Sequence, residues 1–274
     1  MHIKLSIIIV NWNTKDILKQ TIESVKKETS LFEYEIIVID NNSTDDSVNM
    51  IKTLFPSIKI IENQDNFGFG FANNQGLKIA TRECILFLNS DTIILENAIE
   101  KLVRFLDENK DIAMVGPKIL NKDRTFQSAS KRNLPTIKNS FQYLFLNKKE
   151  NNYKLENEGN ISEITEAISG ACMLVRHSIY KKIGGFDEQF FMYAEDLDYC
   201  KRILDNGFKI YYLSTAEIIH LGGESTKKNT ESLKYFYKTM WLYYKKYFYN
   251  NRNLFVNFSI YIGIKILYFY KKLF

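Results

Sequence analysis

The stretch CILFLNSDTIIL, residues 84–95, decides how the chain is read. Ile85-Leu86-Phe87-Leu88 has the unbroken apolar character of a strand buried on both faces. Asn89, Ser90 and Asp91 then interrupt it, and the apolar pattern resumes at Ile93. A strand covered on both faces belongs to a parallel sheet flanked by helices. In such a sheet ligands bind beyond the carboxyl ends of the strands. A carboxylate at that point is therefore a candidate site residue as well as a turn former.

The sequence on either side has the alternation this requires. KLSIIIVNW, YEIIVID, SIKIIE, ECILFLN and IAMVGPKIL have strand character. Between them, TKDILKQTIESVKKE, STDDSVNMIKTLF, GFANNQGLKIAT and LENAIEKLVRFLDEN have helical periodicity. Thr14 is expected to cap the first helix and Ser43 or Thr44 the second. Short connections between alternating elements imply an α/β fold with a mostly parallel sheet and helices on both faces. From 121 to 165 the pattern weakens, and LNKKENNYKLENEGN reads as a surface loop. Regularity returns with AISGACMLVRHSIYKKIGG, a strand and a short helix ended by Gly184-Gly185. EDLDYCKRILDNG reads as a helix stopped at Gly207, and FKIYYLS and AEIIHLGG as two strands.

Two further strands end in polar groups: the first in Asn11-Trp12-Asn13, the second in Asp40-Asn41-Asn42-Ser43. Taken singly, each is an ordinary turn. Three such ends on one sheet edge, with Asp91 among them, favour a site. Asp91 suits a hard divalent cation, Mg²⁺ or Mn²⁺, which takes oxygen ligands and bridges to phosphates. NFGFGFANNQG lacks the third glycine of the dinucleotide fingerprint, Asn73 standing there, which argues against a dehydrogenase.

SIIIVNWN, IIVIDNNSTDDS, NFGFGFANNQGL, FLNSDT, SGACMLVR, GGFDEQFFMYAEDLDYCKRI and IIHLGGES together, in this order, resemble family 2 glycosyltransferases, nearest to the rhamnosyltransferase-like branch. The resemblance runs from about residue 5 to about residue 226 and implies the GT-A fold, one α/β domain binding a nucleotide-diphosphate sugar. It implies that Asp40 meets the nucleobase or ribose, with Asn11 and Asn13 lining the same end. Asn66, Gly68 and Asn74 would shape the donor pocket. Asn89-Ser90-Asp91 falls at the family's Asp-X-Asp motif, with Asn89 on the donor and Asp91 on the metal. The amide at 89 keeps hydrogen bonding but drops a negative charge. Asp196 would be the base that takes the acceptor's hydroxyl proton, and Glu195 would contact the acceptor or orient its neighbour. Both are expected to be ionised at their helix start. His220 would complete the metal shell, imidazole suiting Mn²⁺ better than Mg²⁺.

The implied activity is an inverting, metal-dependent transfer of a sugar to a glycan or lipid-linked glycan hydroxyl in cell-surface polysaccharide synthesis. dTDP-rhamnose is the implied donor. Two other classes share parts of this pattern. A sugar nucleotidyltransferase would want a basic, glycine-rich triphosphate loop, which VNWNTKD is not. A non-catalytic nucleotide-sugar or membrane-binding protein would tolerate loss of Asp196.

Charge is distributed unevenly. Eight of the 37 Lys and Arg lie beyond Glu231, the last acidic residue, together with 16 of the 39 aromatics. Residues 1–231 carry 29 basic and 32 acidic side chains, so a nucleic-acid partner is not indicated. Residues 227–274 are expected to form a basic, aromatic, helical extension of a domain spanning 1–226. Asn257, Ser259 and Lys265 interrupt its apolar run, which favours a helix lying on a membrane surface over a span. The alternative is packing on the domain. The N-terminus shows no cleavable leader pattern, and Cys84, Cys172 and Cys200 have no metal-type spacing. The expectation is a cytoplasmic protein, peripheral on the membrane's inner face.

Overall fold

The computed structural model describes residues 4–140, 160–222 and 230–273. The first half alternates as expected: β1 (Leu5–Asn11), α1 (Lys15–Glu28), β2 (Tyr34–Asp40), α2 (Ser47–Leu54), β3 (Lys59–Glu62) and α3 (Phe69–Ile79). Next come β4 (Cys84–Asn89), the short β5 (Thr92–Ile94), α4 (Ala98–Glu108) and β6 (Ile112–Leu120). The second half holds β7 (Lys131–Arg132), β8 (Glu163–Thr165), β9 (Ala167–Ile168), β10 (Cys172–Arg176) and α5 (His177–Ile183). It closes with α6 (Glu195–Asp205), β11 (Lys209–His220), α7 (Thr230–Tyr247) and α8 (Leu254–Leu273).

The main sheet has the order β3-β2-β1-β4-β10-β6-β11-β5, with β8 also on β11. β1, β2, β3, β4, β6 and β11 point one way; β10 runs against both its neighbours, β4 and β6. One edge of the sheet therefore collects Asn11, Asp40, Asn89, Leu120 and His220 from strand ends, and Cys172 from the start of β10. The mostly parallel α/β architecture agrees with the sequence. The antiparallel insertion of β10 between β4 and β6 has no local signature.

Alternation along the strands builds one core on each face. Leu5, Ile7 and Ile9 pack with Leu18, Ile22 and Val25 of α1 and with Ile99, Leu102 and Leu106 of α4. Ile8, Ile37 and Phe87 face Leu77 of α3 and Tyr199, Cys200 and Ile203 of α6. Each fully buried aliphatic contributes about 1.5–3 kcal/mol. At Gly76 a Cβ would stand 2.6 Å from Ile8 Cγ2 and 2.9 Å from Ile39 Cδ1, so α3 lies closer to the sheet than alanine allows.

Three local expectations are corrected. α2 starts at Ser47, not at Ser43 or Thr44, because Ser43 is held by the site described below. Thr14 precedes α1 but makes no capping bond; Asp45 Oδ2 accepts from Lys15 N instead, at 2.7 Å. The two strands expected at 208–214 and 216–223 are one strand, β11, with a register irregularity between Leu213 and Glu217. The loop expected at 146–160 lies outside the described residues except for Asn160, and Gly223, Glu224 and Ser225 of the last motif lie outside them entirely.

The tail folds back on the body. Tyr235 of α7 stacks on Phe191 at 4.5 Å. Lys246 Nζ reaches Asp187 at 2.6 Å and Asp198 at 2.5 Å. α8 packs on α7 through Tyr244 Oη donating to Asn257 Oδ1 at 2.5 Å and through Trp241 against Tyr261 at 4.9 Å.

Candidate active site

At the polar edge, β1 and β2 are tied together. Asn11 Nδ2 donates to Asp40 Oδ1 at 2.7 Å and to Ser43 Oγ at 3.0 Å, and Ser43 N donates to Asp40 Oδ2 at 2.8 Å. Both Asp40 oxygens are thus engaged in setting the β2–α2 loop. Asn13, with φ 54°, accepts from Thr44 N at 2.7 Å, and its own N–H donates to Ser43 Oγ at 2.9 Å. Thr14 Oγ1 bonds Asn11 Oδ1 at 2.7 Å and Ser90 Oγ at 2.9 Å. That is why its hydroxyl does not cap α1.

Asn66 Oδ1 accepts from Gly68 N at 3.0 Å and from Asn41 Nδ2 at 3.2 Å. Gly68 has φ +84°, and a Cβ there would meet Phe191 O at 2.3 Å. Its smallness therefore serves the close approach of the 191 backbone. Asn74 has both amide atoms on the turn before α6: Nδ2 donates to Phe186 O at 2.9 Å, and Oδ1 accepts from Phe186 N at 2.8 Å.

Beyond β4, Ser90 turns inward, its carbonyl accepting from Thr21 Oγ1 at 2.8 Å. Asp91 is 1% exposed, and among the described residues neither carboxylate oxygen receives a hydrogen bond. His220 Nε2 stands 3.1 Å from Asp91 Oδ1, within ion-pair reach but outside hydrogen-bonding geometry. Asn89 Nδ2 lies 3.2 Å from the same ring nitrogen. Burying a carboxylate without donors is costly. A carboxylate and an imidazole converging without a hydrogen bond between them form a donor set that fits a divalent cation. No cluster of three or more His, Cys, Asp or Glu occurs among the described residues, so a cation here would draw its remaining ligands from elsewhere.

α6 brings the acidic pair to the same edge. Tyr199, Cys200 and Ile203 anchor it in the core, and Phe186 packs on Tyr199 at 4.9 Å. Tyr193 and Ala194, ahead of the helix, both adopt left-handed conformations, with φ 67° and 61°. Strain of this kind in non-glycine residues is concentrated at functional sites. Asp196 Oδ2 accepts from Gly170 N at 3.1 Å and from the Arg132 guanidinium. Ala171 O, the next carbonyl, accepts from Asn89 N at 3.0 Å. Two hydrogen bonds through Gly170-Ala171 thus connect Asp196 to the strand end that carries Asp91.

The ionisation expected for both acids is corrected at Glu195. Burial pushes its carboxyl up to about 8, and the neighbouring Asp196 charge adds to the effect. Burial thus favours the protonated form of Glu195, and its Oε2 has no hydrogen-bond partner among the described residues. Arg132 forms an ion pair with Asp196 beside it. Arg132 carries no motif; it comes from β7, inside the stretch where the sequence pattern fails. Only the pairing of Arg132 with Ala167 places it beside Asp196. A cavity of 690 Å³ lined by Thr81, Arg82, Lys110 and Arg176 lies at the opposite end of β4, away from these groups.

The chain matches the model of glycosyl transferase family 2 over residues 6–184, and that of the N-terminal domain of galactosyltransferase over residues 154–223. It is 27% identical over 221 residues to the low-salt glycan biosynthesis hexosyltransferase Agl10 of Haloferax volcanii, covering 79% of this chain and 66% of that one. It is 25% identical to the rhamnosyltransferase WbbL of Escherichia coli, over 78% of this chain and 82% of WbbL. Among solved structures, residues 1–349 of TarS from S. aureus superpose with TM-score 0.58 and 21% identity, over 87% of this chain and 64% of that one. The mannosyltransferase PcManGT from Pyrobaculum calidifontis, in complex with GDP-Man and Mn²⁺, gives TM-score 0.65 and 13% identity, over 98% of this chain and 70% of that one. The family match spans well over half of the sequence, and its ordered motifs meet at one sheet edge: the chain belongs to glycosyl transferase family 2.

Proposed function

We propose that this chain is an inverting glycosyltransferase that moves a sugar, rhamnose from dTDP-rhamnose, to a hydroxyl of a lipid-linked glycan. The observation that carries this reading is the buried carboxylate of Asp91, without a hydrogen-bond donor among the described residues, faced by His220 and connected through Gly170-Ala171 to Asp196. Asp91 and His220 would hold Mn²⁺ or Mg²⁺. Such a cation, when bound, neutralises the charge that develops on a leaving diphosphate.

The remaining roles belong to the chain. Asp196 takes the proton of the acceptor hydroxyl; the acceptor oxygen bonds to the anomeric carbon as its bond to the diphosphate breaks, and configuration inverts. The guanidinium of Arg132 holds Asp196 in place. Protonated Glu195 avoids a second buried charge beside it and presents an O–H for the acceptor. Asn11, Asn13, Asp40, Asn66 and Gly68 build the wall for the nucleoside, with Asn89 beside the diphosphate. Asn74 supports that wall indirectly, by pinning α3 to the 186 turn.

The tail supports a membrane-bound acceptor. Phe255, Phe258, Ile262, Ile266 and Phe269 recur at three- and four-residue spacing, share one face of α8 and are exposed. Lys265 and Lys272 fall at the margin of that face, as an anionic lipid surface would favour. By length and composition α8 can also cross a membrane, but its Asn257 flank is buried against Tyr244. A cytoplasmic protein held on the bilayer surface follows from this reading.

Titration with dTDP-rhamnose and Mn²⁺, monitored by thermal shift, tests the assignment. UDP- and GDP-sugars serve as competitors. Asp196→Asn is expected to bind donor normally and to lose transfer by 10²-fold or more, an order-of-magnitude figure for a lost general base. Asp91→Ala is expected to lose Mn²⁺-stimulated donor binding. Normal turnover by Asp196→Asn would remove the proposed base.

A further inference from the structure

β6 ends at Leu120 beside Ile219 of β11, and the chain then makes a tight turn before bridging back through Phe126. Asn121 N donates to Thr125 O at 2.8 Å, and Arg124 N to Asn121 O at 2.9 Å, with Arg124 at φ 64°. Register alone thus sets this turn against His220, the last residue of β11. Nothing in the 121–130 sequence marks it as part of a site.

The side chains of the turn form an unbroken line to the imidazole. Thr125 Oγ1 donates to Asp123 Oδ1 at 2.6 Å. Asn121 Nδ2 donates to Thr125 Oγ1 at 2.9 Å. Gln127 Nε2 donates to Asn121 Oδ1 at 3.1 Å. Gln127 Oε1 then faces His220 Nδ1 at 3.1 Å. Amide orientations and histidine tautomers are ordinarily settled by the network around them. Here the direction is imposed from one end. The Asp123 carboxylate can only accept, and the hydroxyl and backbone N–H of Thr125 hold it below the usual carboxylate range. Its acceptance commits the Thr125 proton, which leaves the Thr125 oxygen as acceptor for Asn121. Asn121 must then present its own oxygen to Gln127, and Gln127 its oxygen to His220. Reversing any amide sets two acceptors or two donors against each other.

We propose that Asp123, Thr125, Asn121 and Gln127 form a one-directional relay that holds His220 as the Nδ1–H tautomer, with the Nε2 lone pair facing Asp91, and that Gln127 is a positioning residue for the cation site. The other side of the ring agrees. In the metal-free protein Asn89 Nδ2, 3.2 Å from Nε2, is placed to donate an N–H to the lone pair that this tautomer leaves available. An aspartate at 89 could not supply that proton, so the amide in place of the first Asp of the motif matches a histidine presented in this way. Ring orientation by an outer acceptor is the general means by which proteins prepare histidine ligands. The relay as a route to the cation rests on the metal reading of the preceding section; the tautomer itself does not.

The test separates the two. A long-range ¹H–¹⁵N correlation spectrum of the metal-free protein reports the tautomer of His220, assigned by the signal lost in His220→Asn. Nδ1 is expected to carry the proton. Gln127→Leu and Thr125→Val are both expected to release this preference, although Thr125 touches neither the ring nor the cation. Gln127→Glu, which keeps an acceptor at the same place, is expected to preserve it. Mn²⁺ affinity, read by electron paramagnetic resonance of the free ion, should fall about tenfold in Gln127→Leu and hold in Gln127→Glu. A proton on Nε2 in the wild type, or a tautomer indifferent to both Gln127→Leu and Thr125→Val, overturns the relay whatever the metal does. Equal Mn²⁺ binding by wild type and Asp91→Asn would instead sink the cation assignment, while the spectrum still judges the tautomer.

Discussion

At the scale of single residues, Asp91, Glu195 and Asp196 are all carboxylates near one sheet edge, and their surroundings separate them. Asp91 is buried with no donor among the described residues, Asp196 is held by Arg132 and Gly170 N, and burial shifts Glu195 towards its neutral form. This makes a pH signature. The folded-state pKa of Glu195, about 8, lies above its ordinary value of 4.5, so the folded protein binds the extra proton between those limits. Stability from this group is present at low pH and is lost as pH rises from about 4.5 towards 8. Melting temperature followed by circular dichroism should therefore decline over that window more steeply in wild type than in Glu195→Gln. Parallel curves would mean that Glu195 is ionised after all. Residue type and order made Asp91, Asp196 and His220 visible as candidates in the sequence. Arg132 and Gln127 were not, because an isolated arginine or glutamine in a polar stretch carries no pattern.

At the scale of elements, α6 does two jobs at once. Its first turn carries the acidic pair and its third residue after that pair's start, Asp198, binds the tail. Asp198 is fully buried and receives Arg202 Nε at 2.8 Å, Tyr247 Oη at 2.6 Å and Lys246 Nζ at 2.5 Å. Removing one member of a buried ionic cluster strands the others, at about 3–5 kcal/mol. Asp198→Ala is expected to lose about that much in urea denaturation and to open α7 to trypsin at Lys245 and Lys246. A variant with wild-type stability and an uncut tail would show that aromatic packing alone seats α7. Helical periodicity identified α6, but the caps expected for α1 and α2 did not form. What overrode Thr14 and Ser43 as caps was the demand of the polar edge for their hydroxyls, which no local propensity encodes.

At the scale of the whole molecule, the polar edge carries the proposed donor site and the tail an exposed apolar stripe. Replacing Phe258 and Ile262 by glutamate puts two charges on the exposed face of α8, away from every proposed site residue. Two apolar side chains withdrawn from a bilayer at about 1.5–3 kcal/mol each predict a loss of roughly a hundredfold or more in binding to anionic vesicles. Transfer to a water-soluble acceptor should be unchanged. Vesicle binding by the wild type should also weaken with added salt, as charge attraction is screened. Sedimentation that ignores both the glutamates and the salt would leave α8 without a membrane role.

Hydrophobic period and motif order were local properties of the chain. They sufficed for the α/β class, the alternation of the first 120 residues, the family and the carboxylates at the strand ends. Strand order was decided by long-range pairing: β10 between β4 and β6, and β7 beside β9, are contacts between segments tens of residues apart. Those pairings bring Arg132 to Asp196 and Gln127 to His220, and they bury Glu195 deeply enough to raise its pKa. Burial and hydrogen-bond direction arise only when distant segments share a volume, so they are settled by tertiary structure.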